Sequence, residues 1–127
     1  MSHRPKVLIV DDDPSHLKLY SWILEGQGFI PFPTLVGVEA PSFAEHPIVD
    51  LAVIDYTYRT GVKATEVAEQ IRKCWPDMCI IVLSDMMWMP DDIAHLANGF
   101  VRKGEPEQLI AKVAEMTGHG ANAAGAS

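Results

Sequence analysis

The sequence predicts a doubly wound α/β fold, in which helices cover both faces of a parallel sheet. Strands that are covered on both faces are apolar throughout, and three runs have this character: Val7–Val10, Leu51–Ile54 and Cys79–Leu83. Two shorter runs, Phe29–Phe32 and Phe100–Arg102, bring the number of predicted strands to five. The strands alternate with helical patterns, as the right-handed crossovers of such a sheet require.

Helix starts and apolar spacing locate the connecting helices. Asp13 followed by Pro14 predicts a helix start, because aspartate caps the free N–H groups and proline fits the first turn. An amphipathic helix is predicted over Ala64–Trp75, and a last helix begins at Pro106. Two further helices are predicted, the second of them short or irregular: Gly37–Glu45 and Asp91–Ala97.

Length and composition are typical of one domain. The chain has 127 residues, of which 48% are hydrophobic, so we expect one domain over residues 1–117. Residues 118–127 are poor in large apolar groups and are predicted to be disordered. The net charge of -7 argues against a nucleic-acid surface. A signal peptide and a membrane-spanning run are both missing from the sequence, so we expect a cytoplasmic protein without membrane contact.

Carboxylates follow two of the predicted strands. The first strand ends at Asp11, Asp12 and Asp13, and the strand Leu51–Ile54 ends at Asp55. Parallel strands bring their carboxyl ends to one edge of the sheet, where such folds place their sites. Two like charges about 4 Å apart repel by roughly 4 kcal/mol at an effective dielectric of 20, which favours a bound cation. Oxygen ligands favour Mg²⁺, whose remaining positions suit a phosphate. The acids therefore predict phosphoryl chemistry.

These residues, with Ser84 and Lys103 after later strands, resemble the receiver domain of two-component response regulators, the CheY-like superfamily. The resemblance runs from about Lys6 to Met116 and implies the flavodoxin-like strand order 2-1-3-4-5. It implies a phosphoacceptor rather than an enzyme, in which Asp55 receives phosphoryl from a histidine kinase or phosphotransfer protein. The metal and catalytic residues that it implies are Asp11, Asp12, Asp55 and Thr57 for Mg²⁺, with Asp55, Ser84 and Lys103 at the phosphoryl group.

The resemblance also implies a switch and a mode of output. Ser84 would donate its hydroxyl to the phosphoryl group, and its movement would couple to the aromatic residue Phe100 in the last strand. The signal would pass to a downstream protein from a monomer or weak dimer. Met86, Met87, Trp88 and Met89 form an apolar run that either caps the core or serves as a contact surface.

Three positions depart from the family pattern. Arg59 stands where receivers usually carry proline, Asp85 follows Ser84 in place of a small residue, and Gly104 replaces the proline after the lysine. They keep a second hypothesis open, in which the chain is a pseudo-receiver that binds partners without being phosphorylated. A third hypothesis is an aspartyl phosphatase, because Asp11, Asp13 and Ser15 form a DxDxS string after a strand, similar to the haloacid dehalogenase motif.

Overall fold

Five parallel strands form one sheet in the computed structural model, which describes residues 4–118. The strands are β1 (Lys6–Asp11), β2 (Ile30–Leu35), β3 (Leu51–Asp55), β4 (Cys79–Ser84) and β5 (Gly99–Arg102). Their order is β2-β1-β3-β4-β5, and every pair is parallel. The predicted fold class and strand order are therefore confirmed. Of the tail predicted to be disordered, residues 118–127, Gly118 caps the last helix and residues 119–127 lie outside the described residues.

Two of the three helices connect strands and the third follows β5, and the helix starts follow local chemistry. The helices are α1 (Pro14–Gly26), α2 (Ala64–Cys74) and α3 (Pro106–Thr117). The Asp13 carboxylate accepts a hydrogen bond from the Ser15 amide, so the cap predicted for α1 is present. Proline occupies the first turn of α1 and of α3, where the missing N–H has no cost. Within residues 4–118, none of the helices has the length and apolar character needed to cross a membrane.

Alternate residues of the strands fill a separate core on each face of the sheet. Val7 and Ile9 of β1 belong to the core under α1 and α3, while Leu8 and Val10 belong to the core under α2. This alternation follows from the two-residue period of a strand, which turns successive side chains to opposite faces. It explains why the central strands carry almost no polar residues until their carboxyl ends, where the candidate site lies.

The helix predicted over Gly37–Glu45 is wrong, because the segment between β2 and β3 is irregular. Pro41 has no N–H for a helical hydrogen bond and its ring clashes with the preceding turn. Phe43 and Val49 are buried in the α2-side core, so the segment covers this face of the sheet without regular structure. The buried side chains of Phe43 and Val49 hold this segment against the sheet without a helix.

The short helix predicted over Asp91–Ala97 is not formed, because the segment between β4 and β5 consists of turns; the irregularity expected of this segment is present. Ile93 is fully buried at its centre, and the Leu96 amide donates to the Ile93 carbonyl at 2.9 Å. The Arg72 guanidinium of α2 donates to the Leu96 carbonyl and to Asn98 Oδ1, both at 2.8 Å. One arginine thus fixes the end of this segment to α2.

Candidate functional site

Three polar side chains are buried at the carboxyl edge of the sheet. Asp11 ends β1, Asp55 ends β3 and Ser84 ends β4, and they are the buried polar or charged residues among residues 4–118. Each is at most 3% exposed. Because β1, β3 and β4 are neighbours in the sheet, their ends converge on one small volume. The structure therefore brings together the strand-end residues that the sequence singled out.

Asp55 forms a close ion pair with Lys103. The Lys103 ammonium lies 2.7 Å from Asp55 Oδ1, and the Thr57 amide donates to the same oxygen at 3.2 Å. The backbone fixes Lys103, because its amide donates to the Ser84 carbonyl at 2.8 Å just beyond β5. Gly104 follows with φ +84°, a left-handed conformation that glycine adopts without steric cost. A buried carboxylate and a lysine are thereby held in contact.

Asp11 lies beside this pair with its carboxyl group strongly perturbed. Its Oδ1 accepts hydrogen bonds from the amides of Asp12 at 2.7 Å and Asp13 at 3.1 Å. Burial, then the negative charge of Asp55, raise the Asp11 pKa from 3.8 to about 6, against the lowering effect of the two amides. Two buried carboxylates in one site repel each other, so the site favours a cation or a proton.

Asp12 and Thr57 occupy the rim of the site. The Arg59 amide donates to Asp12 Oδ2 at 2.6 Å, which ties the end of β1 to the loop after β3. Thr57 is exposed and pairs with Lys63 in an isolated bridge of the same loop. No structural role was predicted for Arg59 from the sequence, but its backbone amide holds the predicted metal ligand Asp12 in place.

Two residues of the site were missed by sequence reasoning. His16 lies in the first turn of α1, and its Nδ1 is 3.4 Å from Asp11 Oδ2. One ligand atom each from His16, Asp11 and Asp55 lie within 4.8 Å of one another. Tyr58 is buried close by, and its hydroxyl has no hydrogen-bond partner in the described structure. Burial, then the charges of Asp55 and Asp11, raise the Tyr58 pKa well above its usual value. The position of His16 in the turn after the acids was the available signal.

Ser84 and its loop form the far side of the site. The Ser84 hydroxyl oxygen accepts a hydrogen bond from the Met86 amide at 3.1 Å. Phe100 lies in β5 opposite Val82 and is half-buried. Of the apolar run after Asp85, Met86, Met87 and Trp88 are exposed, whereas Met89 packs against the core. Met89 therefore caps the core, while a contact surface formed by the three exposed residues stays a prediction.

Solved structures with the same fold include response regulators. The response regulator TrrA from Thermotoga maritima, in complex with Mg²⁺–BeF, has a TM-score of 0.74 and 29% identity, covering 88% of this chain and 98% of that one. Chemotaxis response regulator CheY4 of Vibrio cholerae has a TM-score of 0.76 and 22% identity, covering 90% and 99%. A CheY-like receiver domain protein from Methanospirillum hungatei JF-1 has a TM-score of 0.78 and 24% identity, covering 91% and 95%.

Two curated relatives are transcriptional regulatory proteins. The transcriptional regulatory proteins GlrR of Escherichia coli (strain K12) and QseF of Escherichia coli O157:H7 are each 31% identical over 100 residues. The match covers 78% of this chain but 22% of each relative, so the chain spans about a fifth of their length. No family model matches the chain.

The strand order and the shape of the sheet define a CheY-like fold of the flavodoxin type. TrrA and the curated relatives, at 29% and 31% identity, narrow this fold class to one family. The chain belongs to the receiver domains of two-component response regulators.

Proposed function

We propose that the domain, residues 1–117, accepts a phosphoryl group on Asp55 from a histidine kinase or phosphotransfer protein. The observation that carries this proposal is the buried Asp55 carboxylate held 2.7 Å from the Lys103 ammonium. An Asp55 oxygen would attack phosphorus in line as the bond from phosphorus to the donor breaks, and the leaving group would take the bonding electrons. Lys103 would balance charge on the transferred group.

Mg²⁺ is the proposed metal, held by carboxylates of Asp11, Asp12 and Asp55 and by the carbonyl of Thr57. The donor set fits, because Mg²⁺ favours oxygen ligands and usually takes one or two carboxylates plus phosphate oxygens. The raised pKa of Asp11 supports a cation here, since burial and Asp55 disfavour an unbalanced charge. The complex of TrrA with Mg²⁺–BeF gives further support. When bound, the ion would neutralise charge that otherwise repels an incoming phosphoryl donor.

Ser84 and Phe100 are the proposed switch. The Ser84 hydroxyl would donate to a phosphoryl oxygen on Asp55, and the loop that begins with Asp85 would be drawn toward the site. The hydrogen bond from the Met86 amide supports this, because the same hydroxyl oxygen couples the site to the loop backbone. Phe100 would change its packing as the loop moves.

Output is proposed to pass to a downstream protein in the cytoplasm, from a monomer or weak dimer without nucleic-acid or membrane contact. The exposed side chains of Met87 and Trp88 support a protein contact near the switch loop. Their distance along the chain from Ser84 is short, so movement of that loop would change the surface they form.

Intact mass spectrometry tests the proposal. Purified chain is incubated with Mg²⁺ and a small acyl phosphate, alongside Asp55→Asn and the control Asp77→Asn, which changes an exposed acid after α2. We expect one added phosphoryl group on wild type and on the control, and none on Asp55→Asn. Labelling of Asp55→Asn would contradict the assignment of the acceptor.

The two alternatives predict different outcomes of the same experiment. Failure of wild type to be labelled by small donors or by kinases would favour the pseudo-receiver. Turnover of phosphomonoesters beyond one group per chain would favour the phosphatase. Against the phosphatase, the Asp13 carboxylate of its DxDxS string accepts the Ser15 amide as the cap of α1.

A further inference from the structure

His16 is placed so that one ring nitrogen faces the acid cluster. Its Nδ1 lies 3.4 Å from Asp11 Oδ2, and that nitrogen is buried without a hydrogen-bond partner, although 43% of the side chain is exposed. Asp55 offers an oxygen to the same small volume, with all three ligand atoms within 4.8 Å of one another. The buried nitrogen therefore faces the carboxylates that are proposed above to hold the metal.

The distance of 3.4 Å between His16 Nδ1 and Asp11 Oδ2 is long for a hydrogen bond but suits two atoms that share a metal ion. It exceeds the roughly 2.9 Å of an ordinary hydrogen bond between nitrogen and oxygen. Two ligand atoms that are each about 2.1 Å from one metal ion lie roughly 3.4 Å apart at a tetrahedral angle. One ion could therefore contact both atoms of this pair.

The other nitrogen of the ring faces a second carboxylate. His16 Nε2 lies 3.6 Å from Asp13 Oδ2, while Asp13 Oδ1 accepts the Ser15 amide at 2.8 Å. Histidines that bind metals through one nitrogen usually present the other to a carboxylate or carbonyl, which orients the ring. The Tyr20 ring, one turn along α1 with its centroid 6.2 Å from that of His16, supports the same orientation.

We propose that His16 is a metal ligand through Nδ1, and that with Asp11 and Asp55 it allows this receiver site to bind a divalent transition-metal ion such as Zn²⁺ in addition to the Mg²⁺ of the proposed function. The inference rests on the metal site of the proposed function and adds a nitrogen ligand to it. Imidazole suits Zn²⁺ and its neighbours in the first transition row, whereas Mg²⁺ selects oxygen. Two carboxylates and one imidazole are a donor set that zinc accepts with a position left for water or phosphate.

Direct binding measurements on the tag-free full chain test this proposal. Zn²⁺ and Mg²⁺ are titrated separately by calorimetry into wild type, His16→Ala, and the control His95→Ala, which removes an exposed histidine of the β4–β5 segment. We expect one strong Zn²⁺ site per chain, weakened at least about tenfold in His16→Ala and unchanged in the control. Mg²⁺ affinity should change by less than about threefold in either variant. Equal Zn²⁺ affinity of wild type and His16→Ala would overturn the proposal.

A spectroscopic readout separates ligation from a general effect on folding. In the two-bond ¹H–¹⁵N correlation spectrum of the imidazoles, one equivalent of Zn²⁺ should shift Nδ1 of His16 and leave the His95 ring unchanged. A shift at His16 Nε2 in place of Nδ1, or at neither nitrogen, would contradict the geometry. His16→Gln, which keeps more of the side-chain volume, should lose Zn²⁺ affinity as His16→Ala does while its circular dichroism matches wild type.

Failure of this proposal and failure of the proposed function have different signatures. If Mg²⁺ supports labelling of Asp55 but Zn²⁺ affinity does not depend on His16, the function stands and the inference fails. If Zn²⁺ binding depends on His16, Asp11 and Asp55 but no donor labels Asp55, the metal site stands and the phosphoacceptor role fails.

Discussion

Replacing Asp11 by asparagine should stabilise the metal-free protein at neutral pH. Asp11 is 1% exposed, and burial, then the charge of Asp55, raise its pKa from 3.8 to about 6. Each pKa unit corresponds to about 1.4 kcal/mol, so ionised Asp11 costs the fold roughly 3 kcal/mol. Asparagine Oδ1 can still accept the two amide hydrogen bonds that Asp11 Oδ1 receives from Asp12 and Asp13. Asp11→Asn should therefore remove the free-energy cost of burying an ionised carboxylate and retain the two hydrogen bonds from the backbone amides.

The sign of the pH dependence follows from the direction of the pKa shift. Below pH 3.8 Asp11 is protonated in both the folded and the unfolded state, so its pKa shift contributes nothing there. Between 3.8 and about 6 the unfolded chain releases the proton while the folded chain keeps it, and wild type loses stability progressively. Above that range the loss is complete. The advantage of Asp11→Asn should therefore grow from pH 4 to pH 7.

Urea unfolding followed by circular dichroism, with a chelator present, measures this difference. At neutral pH the midpoint of Asp11→Asn should exceed that of wild type by about 1.5 M, given slopes near 2 kcal/mol per M. Asp77→Asn, at an exposed position, should stay within about 0.5 kcal/mol. Added Mg²⁺ should narrow the gap, because an ion that binds only the folded wild type stabilises it. A stability difference near zero at every pH, or one that is the same at pH 4 and pH 7, would refute the reasoning.

Three further substitutions test features outside the acid cluster. Tyr58→Phe removes a buried hydroxyl that lacks a partner and should stabilise the fold by about 1 kcal/mol in urea unfolding; a loss would mean that the hydroxyl is satisfied. Arg72→Ala removes the guanidinium that holds the segment before β5 and should cost about 2–3 kcal/mol, with faster amide exchange there; unchanged exchange would contradict that role. Gly104→Ala forces alanine to φ +84° and should lower thermal stability by about 1–2 kcal/mol, unlike Gly37→Ala, where neither φ nor space opposes a methyl group.

Most of the fold could be predicted because its signals are local and repeated. The apolar runs of β1, β3 and β4 are uninterrupted, and each ends at a polar residue that lies at the sheet edge. Asp13 and Pro14 fix the start of α1, and Pro106 fixes that of α3. These patterns depend on a few neighbouring residues, so they can be recognised in the sequence without knowledge of the tertiary contacts.

The segments that failed or stayed irregular depend on contacts distant in sequence. Phe43 replaces a helix between β2 and β3 by packing into the core, its ring centroid 5.9 Å from that of Trp75. The turns before β5 depend on Arg72, which lies 24 and 26 residues from its partners Leu96 and Asn98. In such stretches the helical spacing of apolar residues indicates only a local preference for helix, and tertiary packing overrides that preference.

In the candidate site too, some residues could be predicted from local patterns and others depend on contacts distant in sequence. The strand-end residues Asp11, Asp55 and Ser84 were predicted because the topology of a parallel sheet fixes where strand ends go. His16 and Tyr58 were missed, because their nearness to the acids depends on the rotation of α1 and on the path of the loop after β3. The sequence places His16 in the turn after the acids, but it encodes neither the rotation of that helix nor the path of the loop.

The irregular segment between β4 and β5 changes how a signal would leave the site. A regular helix resists local movement, because it must shift as a unit or break several backbone hydrogen bonds. Here Ser84 is linked to the next residues by the bond from the Met86 amide, and the exposed side chains of Met87 and Trp88 follow directly. If Ser84 turns toward a phosphoryl group on Asp55, that bond would draw Met86 with it while Ile93 and the Arg72 contacts hold the rest of the segment. The rearrangement would then be confined to about five residues next to the site, so the surface that changes would be the one around Trp88.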